Sequence, residues 1–180
     1  MTHPKTIGNV KLNLGCGPDI RAGYINVDIL GGDMKCDLRK FPWPWPDNYA
    51  DEILMSHVLE HLPDTYETLH EIHRVLKPDG RFWGQVPYGL SEAAFFHPQH
   101  CRYFIDNSFK TLAEHTDFIF VKAELVSLNT NWQLKIRNML PLRSVLKRFI
   151  LNMYDAIDFE LKKPRNIPIS SAETTVKVSV

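Results

Sequence analysis

Short apolar runs alternate with polar turns along the first 130 residues, and most of those runs are too short and too β-rich to be helices. Val10 to Leu14 reads as a strand that enters Gly15-Cys16-Gly17-Pro18, where two glycines permit a tight turn and close backbone approach. Tyr24 to Ile29 is a second strand with Asp28 at its C-terminal end, and a shorter third stretch ends at Asp37-Leu38. Ala50 to Ser56 is the fourth strand and leads into His57-Val-Leu-Glu-His-Leu62. Arg81 to Pro87 and Phe118 to Leu128 return to β character.

Helical spacing appears between these runs. From Asp64 to Lys77 the apolar Leu69, Ile72, Val75 and Leu76 share one face, and Pro78-Asp79-Gly80 stops the helix. Asp106-Asn107-Ser108 offers an N-cap for a helix over Phe109 to His115. Three prolines in Phe41-Pro-Trp-Pro-Trp-Pro46 rule out a helix and a central strand, leaving a rigid loop over the core. Trp132 to Lys163 reads as a long helical stretch broken at Pro141, so 131–165 is expected to be a helical insertion or cap. Thr174 to Val180 alternates and is expected to be the last strand of the sheet. The order predicts an α/β, Rossmann-like fold: one domain over 1–180, with a mostly parallel sheet and helices on both faces. Gly15 to Gly23 is too short a crossover for more than one turn of helix between the first two strands.

Composition narrows the setting. A length of 180 residues with 44% hydrophobic side chains supports one substantial core. Twenty-one basic residues balance twenty-one acidic ones, so no global field draws the chain to nucleic acid or to an anionic membrane, and no nucleic-acid partner is expected. Cys16, Cys36 and Cys101 are widely spaced and odd in number, which fits a reducing cytoplasm. No stretch approaches the roughly 20 apolar residues of a membrane span, and Met1 to Val10 has no signal-peptide character.

In a doubly wound sheet, ligands bind beyond the carboxyl ends of the strands, which is where Gly15 to Pro18, Asp28, Asp37 and Ser56 to Val58 fall. A carboxylate ending the second strand can accept hydrogen bonds from both hydroxyls of a ribose, so Asp28 is assigned that task. Leu12-Asn-Leu-Gly-Cys-Gly17, Asn26-Val-Asp-Ile29, Cys36-Asp-Leu38, Ser56-His-Val-Leu-Glu-His-Leu62 and Arg74-Val-Leu-Lys-Pro-Asp-Gly80 occur in an order that resembles the class I methyltransferases of the type-11-like branch. The resemblance implies S-adenosylmethionine as cofactor. It places the glycine loop against the methionyl part, the Asp28 carboxylate on the ribose and Asp37 at the adenine amino group. The backbone near Ser56 and His57 would line the pocket. The cofactor set it implies is Asn13, Leu14, Gly15, Cys16, Gly17, Asp28, Ile29, Asp37, Leu38, Ser56, His57 and Val58. Two positions depart from the family pattern: Asn13 replaces the usual acid, and Asp19 stands where a third glycine is usual.

Methyl transfer is an in-line displacement and needs a base only when the acceptor carries a proton. His61, His97 and His100 are the candidates for base or acceptor contact, because their loops border the expected pocket. His97-Pro-Gln-His-Cys-Arg-Tyr-Phe104 reads equally as an acceptor lid or as a loop pinned by its aromatics. His57-Val-Leu-Glu-His61 also matches the zinc-protease pattern H-x-x-E-H, but its place directly after a strand favours the cofactor reading, and no metal is assigned. His70 and His73 are expected at the surface. Lys135, Arg137, Arg143, Lys147 and Arg148 give 132–150 a basic face, suited to a solvated cap, a homodimer contact or peripheral membrane contact. The expected activity is methylation of a small-molecule or glycan-like acceptor. Its rival is a non-catalytic cofactor-binding or protein-interaction module with the same fold.

Overall fold

A computed structural model describes residues 8–127 and 154–165. The strands are β1 (Lys11–Leu14), β2 (Ile25–Asp28), β3 (Met34–Lys35), β4 (Ala50–Ser56), β5 (Leu76–Pro87), β6 (Ile119–Val126) and β7 (Ala156–Lys162). Helices α1 (Thr65–Val75), α2 (Glu92–Phe96) and α3 (Ser108–His115) lie between them. The seven strands form one sheet in the order β3-β2-β1-β4-β5-β7-β6. Pairings from β3 through β5 are parallel, and β7 runs antiparallel to both β5 and β6. The strand order reverses direction between β1 and β4, and a crevice therefore opens where their carboxyl ends separate.

The central strands are buried along most of their length, as a covered parallel sheet requires: Leu12, Leu14, Val27, Ile53, Met55 and Phe82 are all fully buried. Helix α1 begins at Asp64, whose side chain accepts from Glu67 N–H at 2.9 Å, and it turns Leu69, Ile72 and Val75 into the core. Lys163 closes the other end of α1, donating from Nζ to the carbonyls of His73 and Leu76, both at 2.8 Å. The proline-rich loop lies over the same core as expected. Trp43 and Trp45 are buried, Trp43 N–H donates to Glu71 Oε1 at 2.6 Å, and Arg74 donates to the Trp45 carbonyl at 2.9 Å.

Three expectations change. Residues 156–162 are strand β7 and not the end of a helical insertion, because Ile157, Phe159 and Leu161 alternate with Asp158, Glu160 and Lys162 at a period of two. High apolar density had masked that alternation. Phe159 stacks on Phe109 of α3 at 4.1 Å between ring centroids, so β7 carries part of the core. The crossover from β1 to β2 contains no helix; the chain turns at Gly15, Gly17 and Gly23, all with positive φ. His73 is half-buried, with its ring edge-on to Phe118 at 5.1 Å, instead of lying free on the polar face. Residues 131–153 of the expected insertion and the strand expected over 174–180 lie outside the described residues.

Candidate functional site

The turn after β1 is built by backbone geometry that other residues resist. Gly15 has φ +69°, and a Cβ placed there would lie 2.5 Å from Val58 Cγ2. The N–H groups of Gly15 and Cys16 both donate to the Val27 carbonyl, at 2.7 and 3.0 Å, which folds the turn across the end of β2. Asp28 closes the arrangement: its Oδ2 accepts from Gly17 N–H and its Oδ1 from Leu30 N–H, each at 3.0 Å. A carboxylate has about four acceptor positions, so both oxygens retain capacity for donors of a ligand.

A cavity of about 400 Å³ opens beside this turn, lined by Gly15, Asp28, Ile29, Cys36, Asp37, Leu38, Arg39, His61, Leu62 and Gln99. Its volume is within the range of small-molecule sites. Ile29, Leu38 and Leu62 supply apolar wall, and the two aspartates supply acceptors. Two carboxylate acceptors beside an apolar wall fit a nucleoside that offers sugar hydroxyls and an exocyclic amine. Asp37 is the more heavily engaged carboxylate, taking Arg39 Nε on Oδ1 at 2.8 Å and Arg39 Nη2 on Oδ2 at 3.1 Å. That guanidinium holds the Asp37 carboxyl below its usual range.

Among the expected cofactor residues, Gly15, Asp28, Ile29, Asp37 and Leu38 line this one cavity, and Gly17 is tied to Asp28. Leu14 and Cys16 are buried beneath the turn, and burial pushes the Cys16 thiol up. Asn13 faces the inside of the protein. Its Nδ2 donates to Asn26 Oδ1 at 3.0 Å and to the Asp19 carbonyl at 2.8 Å, which an acid at this position cannot do. Val58 packs under Gly15. Ser56 lines a separate cavity of about 350 Å³ with Trp83, Gln85 and Asp158. Cys36, Arg39, Leu62 and Gln99 were not assigned to the cavity; Cys36 and Leu62 stand inside the sequence motifs, Arg39 adjoins one, and Gln99 lies in the His97–Phe104 loop expected at the pocket's border.

The H-x-x-E-H stretch is not one helical face. His57 has φ +56°, and only Leu59–His61 forms a single 3₁₀ turn. The His57 ring instead meets Gln85 Oε1 through Nε2 at 2.9 Å and Glu60 Oε1 through Nδ1 at 3.4 Å. The Glu60 carboxylate, joined by Gln85, raises the His57 pKa against the opposing effect of burial.

His61, His97 and His100 do come together. Their ring centroids lie 5.3 Å apart for His61 and His97, 4.7 Å for His61 and His100, and 5.4 Å for His97 and His100. His61 borders the cavity directly, and burial lowers its pKa, helped by the neighbouring rings. The loop that carries the other two is both pinned and next to the cavity. Cys101 and Arg102 donate their N–H groups to the Glu60 carbonyl at 2.8 and 3.2 Å, and Phe95 stacks on Tyr103 at 5.0 Å.

The type-11 family model, a methyltransferase domain, matches residues 32–84, from just before β3 into β5. No curated protein matches the sequence. Solved structures share the fold. A S-adenosylmethionine-dependent methyltransferase from Archaeoglobus fulgidus superposes with a TM-score of 0.65 at 21% identity, covering 86% of each chain. A Haloferax volcanii structure of the Trm112 methyltransferase activator in complex with a methyltransferase gives 0.62 at 15% identity, over 88% of this chain and 84% of that one. Phosphoethanolamine N-methyltransferase 2 from Haemonchus contortus, solved with S-adenosyl-L-methionine, gives 0.60 at 17% identity, over 90% of this chain and 50% of that one. Residues 32–84, across β4 and α1, thus match a type-11 methyltransferase domain, and the fold is the one seen in S-adenosylmethionine-dependent methyltransferases.

Proposed function

We propose that the chain moves a methyl group from S-adenosylmethionine to a small-molecule or glycan-like acceptor, with the nucleoside held in the cavity between the β1 turn, Asp28 and Asp37. One observation carries this reading: distant segments of the sequence converge on a single cavity that offers two carboxylates and an apolar wall. In it Asp28 receives the ribose hydroxyls and Asp37 the adenine amine, while the Gly15 turn allows the methionyl part to approach backbone.

The sulfonium supplies an activated methyl carbon. Bound there, the cofactor would offer that carbon to in-line displacement by the acceptor's lone pair, with the sulfur as leaving group. The protein positions the acceptor and excludes water. His61, at the cavity wall and shifted toward its neutral form, takes the proton from an acceptor that carries one; His97 and His100 contact the acceptor beside it. No described helix is long and apolar enough to cross a membrane, and Cys16, Cys36 and Cys101 are free thiols, which supports a cytoplasmic setting.

Incubation with labelled S-adenosylmethionine and a panel of sugars, glycolipid fragments and small phenols tests the reading. Transfer of label to one acceptor class supports it, and cofactor binding with no transfer to any supports a non-catalytic module. A protein partner is the second reading, favoured by the Haloferax volcanii fold relative solved with an activator protein. Restoration of turnover by a co-purifying subunit distinguishes it from the first.

A further inference from the structure

We infer that His61, His97 and His100 form a binding site for one zinc-class divalent ion at the rim of the cofactor cavity. One ring nitrogen from each residue lies within 4.8 Å of the other two, a grouping drawn from the turn after β4 and from the loop after α2.

The tautomers of two rings are already set for ligation. His100 Nδ1 lies 2.8 Å from the Ala94 carbonyl, and His61 Nδ1 lies 3.3 Å from the Gln99 carbonyl. A carbonyl only accepts, so each Nδ1 carries the proton and each Nε2 keeps its lone pair. Backbone carbonyls of this kind orient metal-bound histidines. His97 is exposed and differs, because its Nδ1 accepts from Gln99 N–H at 3.2 Å. Loading the ion exchanges that long bond for a metal bond if Nδ1 ligates, or gives it up on a change of tautomer if Nε2 does.

The scaffold holds the two loops together without the ion. Cys101 and Arg102 donate to the carbonyl of Glu60, the residue next to His61, and the Arg102 guanidinium donates to the Pro63 carbonyl. The Cys101 thiol faces the Glu60 and Leu62 carbonyls, so the donor set is three imidazoles. Zinc–nitrogen bonds of about 2.0–2.1 Å place tetrahedral ligands about 3.3 Å apart, so the grouped nitrogens, all within 4.8 Å of one another, need close by at most about 1.5 Å through side-chain rotation. Three neutral nitrogens leave a fourth position open, as in zinc sites that bind a water or substrate oxygen. His61 and Gln99 line the cavity, so the site lies at its edge. An ion held there occupies the His61 Nε2 lone pair, so His61 acts as proton acceptor only in the metal-free protein; the site stands on these three rings alone and does not require that the chain transfer methyl groups.

The test is a titration of untagged, metal-stripped protein with Zn²⁺ against a chromophoric chelator, alongside the visible absorption of the Co²⁺ form. The expected result is one ion per chain with a tetrahedral Co²⁺ spectrum. His97→Ala and His100→Ala should each weaken binding by at least about 10–100-fold. His115→Ala, which removes an exposed ring at the end of α3, should leave it unchanged. His97→Gln, at an exposed position, covers the chance that His100→Ala fails to fold. Binding that is absent, sub-stoichiometric or indifferent to His97→Ala and His97→Gln would overturn the inference. S-adenosylmethionine affinity measured on the metal-free protein reports separately on the cofactor reading.

Discussion

Asp28 Oδ2 accepts the Gly17 N–H at 3.0 Å, so the end of β2 and the glycine turn after β1 share one carboxylate. The bond fixes the carboxylate's direction before any ligand arrives. A preset acceptor avoids part of the ordering cost of binding.

In the proposed reading the Asp37 carboxylate, at the cavity wall, meets the base. If it accepts from the adenine amine, Asp37→Ala should bind the inosine analogue of the cofactor product nearly as well as the adenosine form. The wild type should prefer adenosine by roughly tenfold or more, the value of about 1.4 kcal/mol for one hydrogen bond to a charged group. Competition titrations with both analogues measure this, and equal preference in wild type and variant would remove the assignment.

Asn13→Asp restores the acid usual in the family and should weaken this chain. The new carboxylate would face Asn26 Oδ1 and the Asp19 carbonyl, both now acceptors of the Asn13 amide. A loss of about 1–3 kcal/mol is expected from setting a carboxylate against these two acceptors and leaving the Asp19 carbonyl without its amide, while Asn26 Oδ1 keeps the Arg21 N–H at 2.8 Å. Urea unfolding of the two proteins at neutral pH checks it.

Gly84 sits where β5 crosses close to β4. A Cβ there would lie 1.7 Å from the Met55 carbonyl oxygen, so Gly84→Ala must push the strands apart. The expected cost is about 1–3 kcal/mol, whereas Gly31→Ala, with open space around it, should stay within about 0.5 kcal/mol of wild type. Thermal or urea midpoints of the pair decide the matter.

Glu71 and Arg74 make stability depend on acid. The Arg74 guanidinium hydrogen-bonds the Glu71 carboxylate and lowers its pKa below the ordinary 4.5. A depressed folded-state value means the stabilisation is fully present above that ordinary value and is lost as pH falls through the folded one. Glu71→Gln should therefore be less stable at pH 7 and show a shallower fall in unfolding midpoint between about pH 5 and pH 3. A parallel fall in both proteins would contradict the pairing.

The convergence of Gly15, Asp28 and Asp37 on one cavity was legible because it depends on backbone. Gly15, Asp28 and Asp37 fall at strand ends, and a parallel sheet brings strand ends together whatever the loops do. The α1 helix was equally readable from its helical apolar spacing, and β4 from the short continuous apolar run Ile53-Leu54-Met55 that a covered strand shows. β7 was not: Ala156 to Lys162 is dense in apolar residues after a longer apolar stretch, and its two-residue period is visible only when that segment is taken alone. Ser56 was expected beside the cofactor but lines another cavity with Gln85 and Asp158, because side chains alternate across the sheet. The 97–104 loop was expected at the pocket, but not which of its residues enters: Gln99 is set there by the hydrogen bonds from residues 101–102 to the Glu60 carbonyl and by the His61 ring against its own carbonyl.

Calorimetric titration of S-adenosylmethionine into wild type and Asp28→Ala is the most direct test of the account. The prediction is one site per wild-type chain, with affinity reduced on the order of 10–100-fold in the variant, as expected for losing hydrogen bonds to a charged group. A wild-type protein that takes up no cofactor, or a variant that binds it as tightly as wild type, would contradict it.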